Sequence, residues 1–139
     1  MRFLHAADLH IDSPLRGLER YPGAPVDRLR TATRQALERL VDKALAEAVD
    51  FVLLAGDIYD RDWQDFHTGL FFREQMVRLG RAEIPVFIVQ GNHDAASVIS
   101  RQLTLPPNVR VFSSRTGQTH RLEGLSVAIH GRSFRDRAE

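Results

Sequence analysis

Three short polar clusters hold the donors from which chemistry can be built: Asp8-Leu9-His10, Gly56-Asp57 and Gly91-Asn92-His93-Asp94. Each follows an apolar run, so each marks the end of a buried strand. Asp8 and His10 stand two residues apart, and because strand side chains repeat every two residues, both leave that strand end on the same side. A carboxylate and an imidazole alone make a weak metal site. Asp57, Asn92 and Asp94 offer further oxygen donors and His93 another nitrogen. A cluster of Asp, His and Asn without cysteine suits divalent manganese, iron or zinc better than calcium, which would use oxygen alone. If one carboxylate bridges two such ions about 3.5–4 Å apart, the pair can clamp the attacking and leaving oxygens of a displacement at phosphorus. Taken singly, each cluster has a structural explanation: Asp8 and Asp57 as caps, Asn92 as a turn residue with a left-handed backbone, His10 as a hydrogen-bonded structural histidine. Their recurrence at three successive strand ends argues against coincidence.

An alternation of strands and helices must position them. Residues 1–7 are the first strand, and a loop rich in Pro, Gly and charge over residues 11–25 holds Asp12, Ser13 and Arg16. From about residue 27 to 48, Leu29, Leu37, Leu40, Val41, Ala44, Leu45 and Ala48 share one face, with Thr33 filling the gap and Arg28, Gln35, Arg39 and Asp42 opposite. This predicts a long amphipathic helix capped by Asp27. The unbroken run Phe51-Val52-Leu53-Leu54-Ala55 reads as a strand covered on both faces. Strand, helix and strand form a βαβ unit with parallel, adjacent strands, so Asp57 emerges at the same edge as Asp8. A loop with Asp60, Arg61, Asp62 and Trp63 leads to a second helix over residues 66–81, which sets Phe72, Met76 and Leu79 on one face. Residues 85–90 form a third buried strand. A short helix over residues 95–103, a Pro106-Pro107 break and strands over residues 109–112, 119–122 and 126–130 follow, the last two joined as a hairpin at Glu123-Gly124. Open α/β sheets bind ligands beyond the carboxyl ends of their strands, where all six candidate residues belong.

Composition narrows the chemistry further. The chain has 139 residues, 43% hydrophobic and 27% charged, as expected of a soluble globular domain. Its longest apolar run, Phe51 to Ala55, is too short to span a bilayer, and the start lacks the apolar core of a secretory signal, so a cytoplasmic location is expected. Without cysteine there is no disulfide, thiolate zinc site or thiol nucleophile. A net charge of +1 gives no global pull toward nucleic acid. Lys43 is the only lysine; the arginines suit phosphate, and a composition bias explains them equally well.

The three clusters resemble the first three motifs of the calcineurin-like metallophosphoesterases, over most of the chain. Within that superfamily, His5-Ala6-Ala7-Asp8-Leu9-His10, Ala55-Gly56-Asp57-Ile58-Tyr59-Asp60 and Phe112-Ser113-Ser114 are similar to the bacterial YhaO-type DNA repair exonucleases, relatives of the SbcD nucleases. The resemblance implies an α/β metallophosphoesterase sandwich, with β-sheets flanked by helices. Residues 1–139 would be the N-terminal part of that domain, incomplete at the C-terminal end. It implies that Asp8 and His10 hold a first metal, that Asp57 bridges two and that Asn92 holds the second. His93, oriented by Asp94, would be the acid or transition-state stabiliser at the scissile phosphate. It also implies two manganese ions, a DNA substrate, an SMC-like coiled-coil ATPase partner and a homodimer.

The family supplies further histidines from a fourth motif and a later Gly-His-x-His, and neither occurs before Glu139. Weak metal binding by this chain is therefore expected, at the second site above all. His130 falls at a strand-to-loop junction rather than a ligand position. His67 is read as structural on the second helix, His120 as a strand surface residue and His5 as a packed, hydrogen-bonded core residue. Asp12, Arg16, Asp60, Arg61 and Trp63 lie on loops beside the site, either to contact a nucleic acid backbone and stack on a base or as solvated loop residues with Trp63 on the rim. Metal motifs do not encode substrate size, so a phosphatase or cyclic-nucleotide phosphodiesterase is the alternative enzyme. A non-catalytic scaffold that binds ATPase or nucleic acid is the rival from another class.

Overall fold

The computed structural model describes residues 1–13, 21–23, 25–59, 65–96 and 103–135. Arg16, Asp60, Arg61 and Trp63 lie outside the described residues, as does most of the helix expected after Asp94. Strands β1 (Phe3–Ala7), β2 (Phe51–Gly56), β3 (Val86–Gln90) and β4 (Val109–Val111) form one parallel sheet in that order. Helix α1 (Val26–Ala46) connects β1 to β2, and α2 (Phe66–Arg81) connects β2 to β3. Helix α3 (Asn92–Ala96) follows β3 directly, and β5 (Gln118–Leu122) pairs antiparallel with β6 (Val127–Gly131).

Period-two alternation between two covered faces explains why β2 is an unbroken apolar run and β3 is apolar up to Gln90. Val52, Leu54, Val86 and Ile88 face the helices, meeting Leu37, Val41 and Ala44 of α1 and Phe72, Met76 and Leu79 of α2. Phe51 and Phe87 face the opposite way and, with Phe112, pack against Leu122, Leu125 and Ile129 from the β5–β6 hairpin. The sheet thus lies between a helical layer and a hairpin, and each fully buried Leu or Phe contributes roughly 1.5–3 kcal/mol.

The edge strand differs. Only alternate residues of β1, Leu4 and Ala6, pack on the helical side, while Phe3, His5 and Ala7 are exposed. The expectation that His5 is a core residue is corrected: the hairpin covers β2 and β3, and β1 lies beyond it. His120 is corrected in the other direction. It is an aromatic filler, with ring centroids 5.6 Å from Phe87 and 5.1 Å from Phe112.

Helix ends also shift. Pro25 occupies the N-cap of α1, so Asp27 lies in the first turn instead of capping it. Leu29 is 39% exposed despite its place on the apolar face. A 21-residue helix is about 31 Å long against roughly 17 Å for a five-residue strand, so its first turns overhang the sheet. The helix stops at Ala46, and Ala48 turns the chain in a left-handed conformation. The hairpin turn is longer than two residues, passing through a 3-10 turn at Glu123–Leu125 and a left-handed Ser126. Helix α3 begins at Asn92, three residues early, so Asn92, His93 and Asp94 form its first turn.

Candidate metal centre

Parallel register brings the first two clusters together. Ala7 stands opposite Ala55, which sets Asp8 beside Gly56; Gly56 stands opposite Gln90, which sets Asp57 beside Gly91. Each carboxylate therefore lies against a glycine of the next strand end. A methyl group on Gly56 would sit 2.1 Å from Asp8 Oδ1, and one on Gly91 would sit 2.2 Å from Asp57 Oδ1. The glycines are seats for the carboxylates, a role that the sequence reading, which took them as strand stops, missed.

The same register wires the carboxylates to the following strand. The Asp57 N–H donates to Asp8 Oδ1 at 3.2 Å, and the His93 N–H donates to Asp57 Oδ1 at 2.9 Å. The segment after β1 extends the ladder along β2: Asp8, His10 and Ile11 donate their N–H groups to the carbonyls of Ala55, Asp57 and Ile58 at 2.9–3.1 Å. Asp8 and His10 adopt positive φ angles of 52° and 42°, and Asp12 one of 56°. Aspartate and histidine visit this region more readily than most residues, at a strain of about 1 kcal/mol or more each.

Three residues converge as expected. One ligand atom each from Asp8, His10 and Asp57 lies within 4.8 Å of the others. Asp57 is largely buried, its side chain 13% exposed, whereas Asp8 is exposed and His10 half-buried. Among the described residues no lysine or arginine pairs with either carboxylate. Adjacent carboxylates repel unless a cation sits between them. Two carboxylates and one imidazole at this spacing fit a divalent transition metal. His93 belongs to the same assembly, its Nδ1 3.7 Å from Asp57 Oδ2 and its ring edge-on to His10 at 5.8 Å between centroids. Asn92 stands at the start of α3, half-buried, between the Gly91 seat and His93.

Asp94 sits deeper than expected. It is 1% exposed, and its carboxylate oxygens accept the N–H groups of Ile58 and Tyr59, both at 2.9 Å. Through these two bonds Asp94 ties α3 to the segment after β2. Burial pushes the Asp94 carboxyl up to about 6, with the charge of Asp57 adding to the rise and the backbone amides opposing it.

Other candidates fall away from the centre. The Asp12 side chain is only 11% exposed and is engaged by Arg34 and Thr68, so it is not a free contact for nucleic acid. His130 shares a hydrogen bond of 2.8 Å with Thr119 across the hairpin, and His67 is exposed at the start of α2. No described helix is long and apolar enough to cross a membrane.

Comparison with known proteins agrees with this geometry. Residues 1–136 match the family described as Calcineurin-like phosphoesterase. The chain is 36% identical to a protein named uncharacterized metallophosphoesterase YhaO from Bacillus subtilis, covering 99% of this chain and 35% of that protein. It is 33% identical to the DNA double-strand break repair protein Mre11 of Archaeoglobus fulgidus, over 70% of this chain and 20% of the relative. The corresponding protein of Thermoplasma acidophilum is 29% identical over 66% of this chain and 22% of its own length. The chain thus spans about a third or less of these relatives. The strand-end motifs, the parallel sheet that gathers them and the match over residues 1–136 place the chain in the calcineurin-like phosphoesterase family.

Proposed function

We propose that this chain carries the N-terminal half of a binuclear-metal centre that hydrolyses DNA phosphodiesters, as part of a DNA repair exonuclease. The observation that carries the reading is the convergence of Asp8, His10 and Asp57 within 4.8 Å, beside His93. Asp8 and His10 would hold one ion, Asp57 would bridge two, and Asn92 would reach the second. When bound, the divalent ions, manganese in this reading, activate the attacking water and neutralise charge developing on phosphoryl oxygens. The protein's own task is to hold donors and move a proton. His93, kept beside Asp57 by its own amide, gives a proton to the departing oxygen or stabilises the charge on it. Asp94 acts one step further out, fixing the turn that presents Asn92 and His93 against the Asp57 loop. The naming of two relatives as double-strand break repair proteins supports DNA as the substrate. An SMC-like coiled-coil ATPase partner, a homodimer and a cytoplasmic location belong to the same reading and rest on the family resemblance.

The test is manganese-dependent turnover by the full-length protein on single-stranded DNA, duplex DNA, bis-p-nitrophenyl phosphate and p-nitrophenyl phosphate. DNA and the diester should be cleaved faster than the monoester, and Asp57→Asn should remove activity together with metal binding. His93→Ala should lower kcat by about 10²–10⁴ with metal affinity kept. Activity confined to the monoester would make the protein a phosphatase, and metal binding without turnover would make it a scaffold. Unchanged turnover in His93→Ala would remove the role given to that residue.

A further inference from the structure

We propose that Asp12, held by Arg34 and Thr68, is the positioning residue that keeps His10 in ligating geometry; this rests on the metal-centre reading above. Residues 8–12 leave β1 as a strained segment with Asp8, His10 and Asp12 all at positive φ. Such a backbone persists only where its surroundings over-determine it. Two anchors do so on either side of His10. Upstream, the ladder onto β2 fixes the Asp8 and His10 amides. Downstream, the Ile11 side chain is fully buried and Asp12 is clamped.

The clamp joins three elements. Arg34 of α1 donates from Nε to Asp12 Oδ1 at 2.7 Å and Oδ2 at 3.0 Å, and from Nη2 to Oδ2 as well. Thr68 of α2 donates from Oγ1 to Oδ2 at 2.6 Å, and the Asp12 N–H donates to Thr33 Oγ1 of α1 at 3.1 Å. The guanidinium lies over the Phe71 ring at 4.9 Å, which restricts it further. A forked arginine on a mostly buried carboxylate fixes both position and direction. The clamp is two residues from His10, the imidazole of the Asp8, His10 and Asp57 cluster. With it released, the left-handed turn at Asp12 and His10 has less to hold it, and the imidazole loses its fixed direction.

The test uses full-length protein with Mn2+ as the probe, titrated by calorimetry, and amide hydrogen exchange on the metal-free form. Asp12→Ala should weaken Mn2+ binding about tenfold or more, since it removes several hydrogen bonds to a charged group. Thr68→Val, which removes the hydroxyl while Arg34 keeps its own bonds to Asp12, should weaken it about threefold to tenfold, and Thr68→Ser should restore wild-type affinity. In both weakened variants the His10 and Ile11 amides should exchange at least about tenfold faster, with amides in the middle of β2 and α1 unchanged. Folded Thr68→Val and Asp12→Ala proteins with wild-type affinity and wild-type exchange at His10 and Ile11 would overturn the proposal. So would an acceleration spread evenly over the sheet, which marks a merely structural role. If wild-type protein takes up no Mn2+, the metal reading fails, whereas the exchange comparison still decides whether Asp12 holds the loop.

Discussion

Gly91→Ala tests whether the glycine seats are what let the centre assemble. The new methyl would stand 2.2 Å from Asp57 Oδ1, 2.8 Å from its Cγ and 2.9 Å from its backbone nitrogen. Reaching even the 3.0 Å limit of tolerated contacts requires Oδ1 to move by about 0.8 Å, and ordinary contact at 3.4 Å requires more than about 1 Å. Side-chain rotation alone cannot relieve the clash, because the backbone nitrogen is also inside the limit. The movement pulls Oδ1 from the His93 N–H that it accepts at 2.9 Å. Overpacking of this kind costs about 1–3 kcal/mol of stability, and a misplacement near 1 Å can cost about 10² in rate. We expect kcat on bis-p-nitrophenyl phosphate to fall about 10²-fold, with weaker Mn2+ binding by calorimetry. Gly117→Ala, where the methyl would meet nothing within 4 Å, is the control and should leave both unchanged. A Gly91→Ala protein with wild-type turnover and affinity would refute the seat argument.

Further expectations follow from single contacts. Asp94→Asn leaves one acceptor for the two amides of Ile58 and Tyr59 and sets an NH2 against the other, so one of those two amides should exchange with solvent at least about tenfold faster. Because the Asp94 carboxyl rises to about 6 from 3.8 on folding, the folded chain keeps its proton to higher pH than the unfolded one. The stability of metal-free wild type relative to Asp94→Asn should therefore be greatest below about pH 4 and fall as pH rises to about 6, by roughly 1.4 kcal/mol per unit; a flat difference would contradict the shift. His130→Ala should leave Mn2+ affinity unchanged within error, since His130 is paired with Thr119 on the hairpin, and a large loss would return it to the metal centre. Phe87→Ala removes the ring joining Phe51, Phe112 and His120, and thermal or urea unfolding should report a loss of about 3–5 kcal/mol.

Much of this was legible in the chain because the signals are local. Strand ends followed by polar clusters located Asp8, His10 and Asp57, and the doubly covered character of β2 was visible in its unbroken apolar run. His5 and His120 were misread because their surroundings depend on how far the hairpin reaches across the sheet, which periodicity in β1 or β5 does not encode. Asp12 read as an exposed loop residue, either a nucleic-acid contact or merely solvated, since its partners Arg34 and Thr68 lie 22 and 56 residues away.

By itself the sequence determined which donors stand at which strand ends, and hence the class of metal and chemistry they suit, because residue type and period-two spacing are properties of short segments. Only the tertiary structure decided how those ends touch. The parallel register set a glycine beside each carboxylate, turned Asp94 inward to the amides after β2 and locked Asp12 between two helices. Register and burial arise from packing between segments far apart in the chain, where geometry, not residue type, selects each side chain's partners.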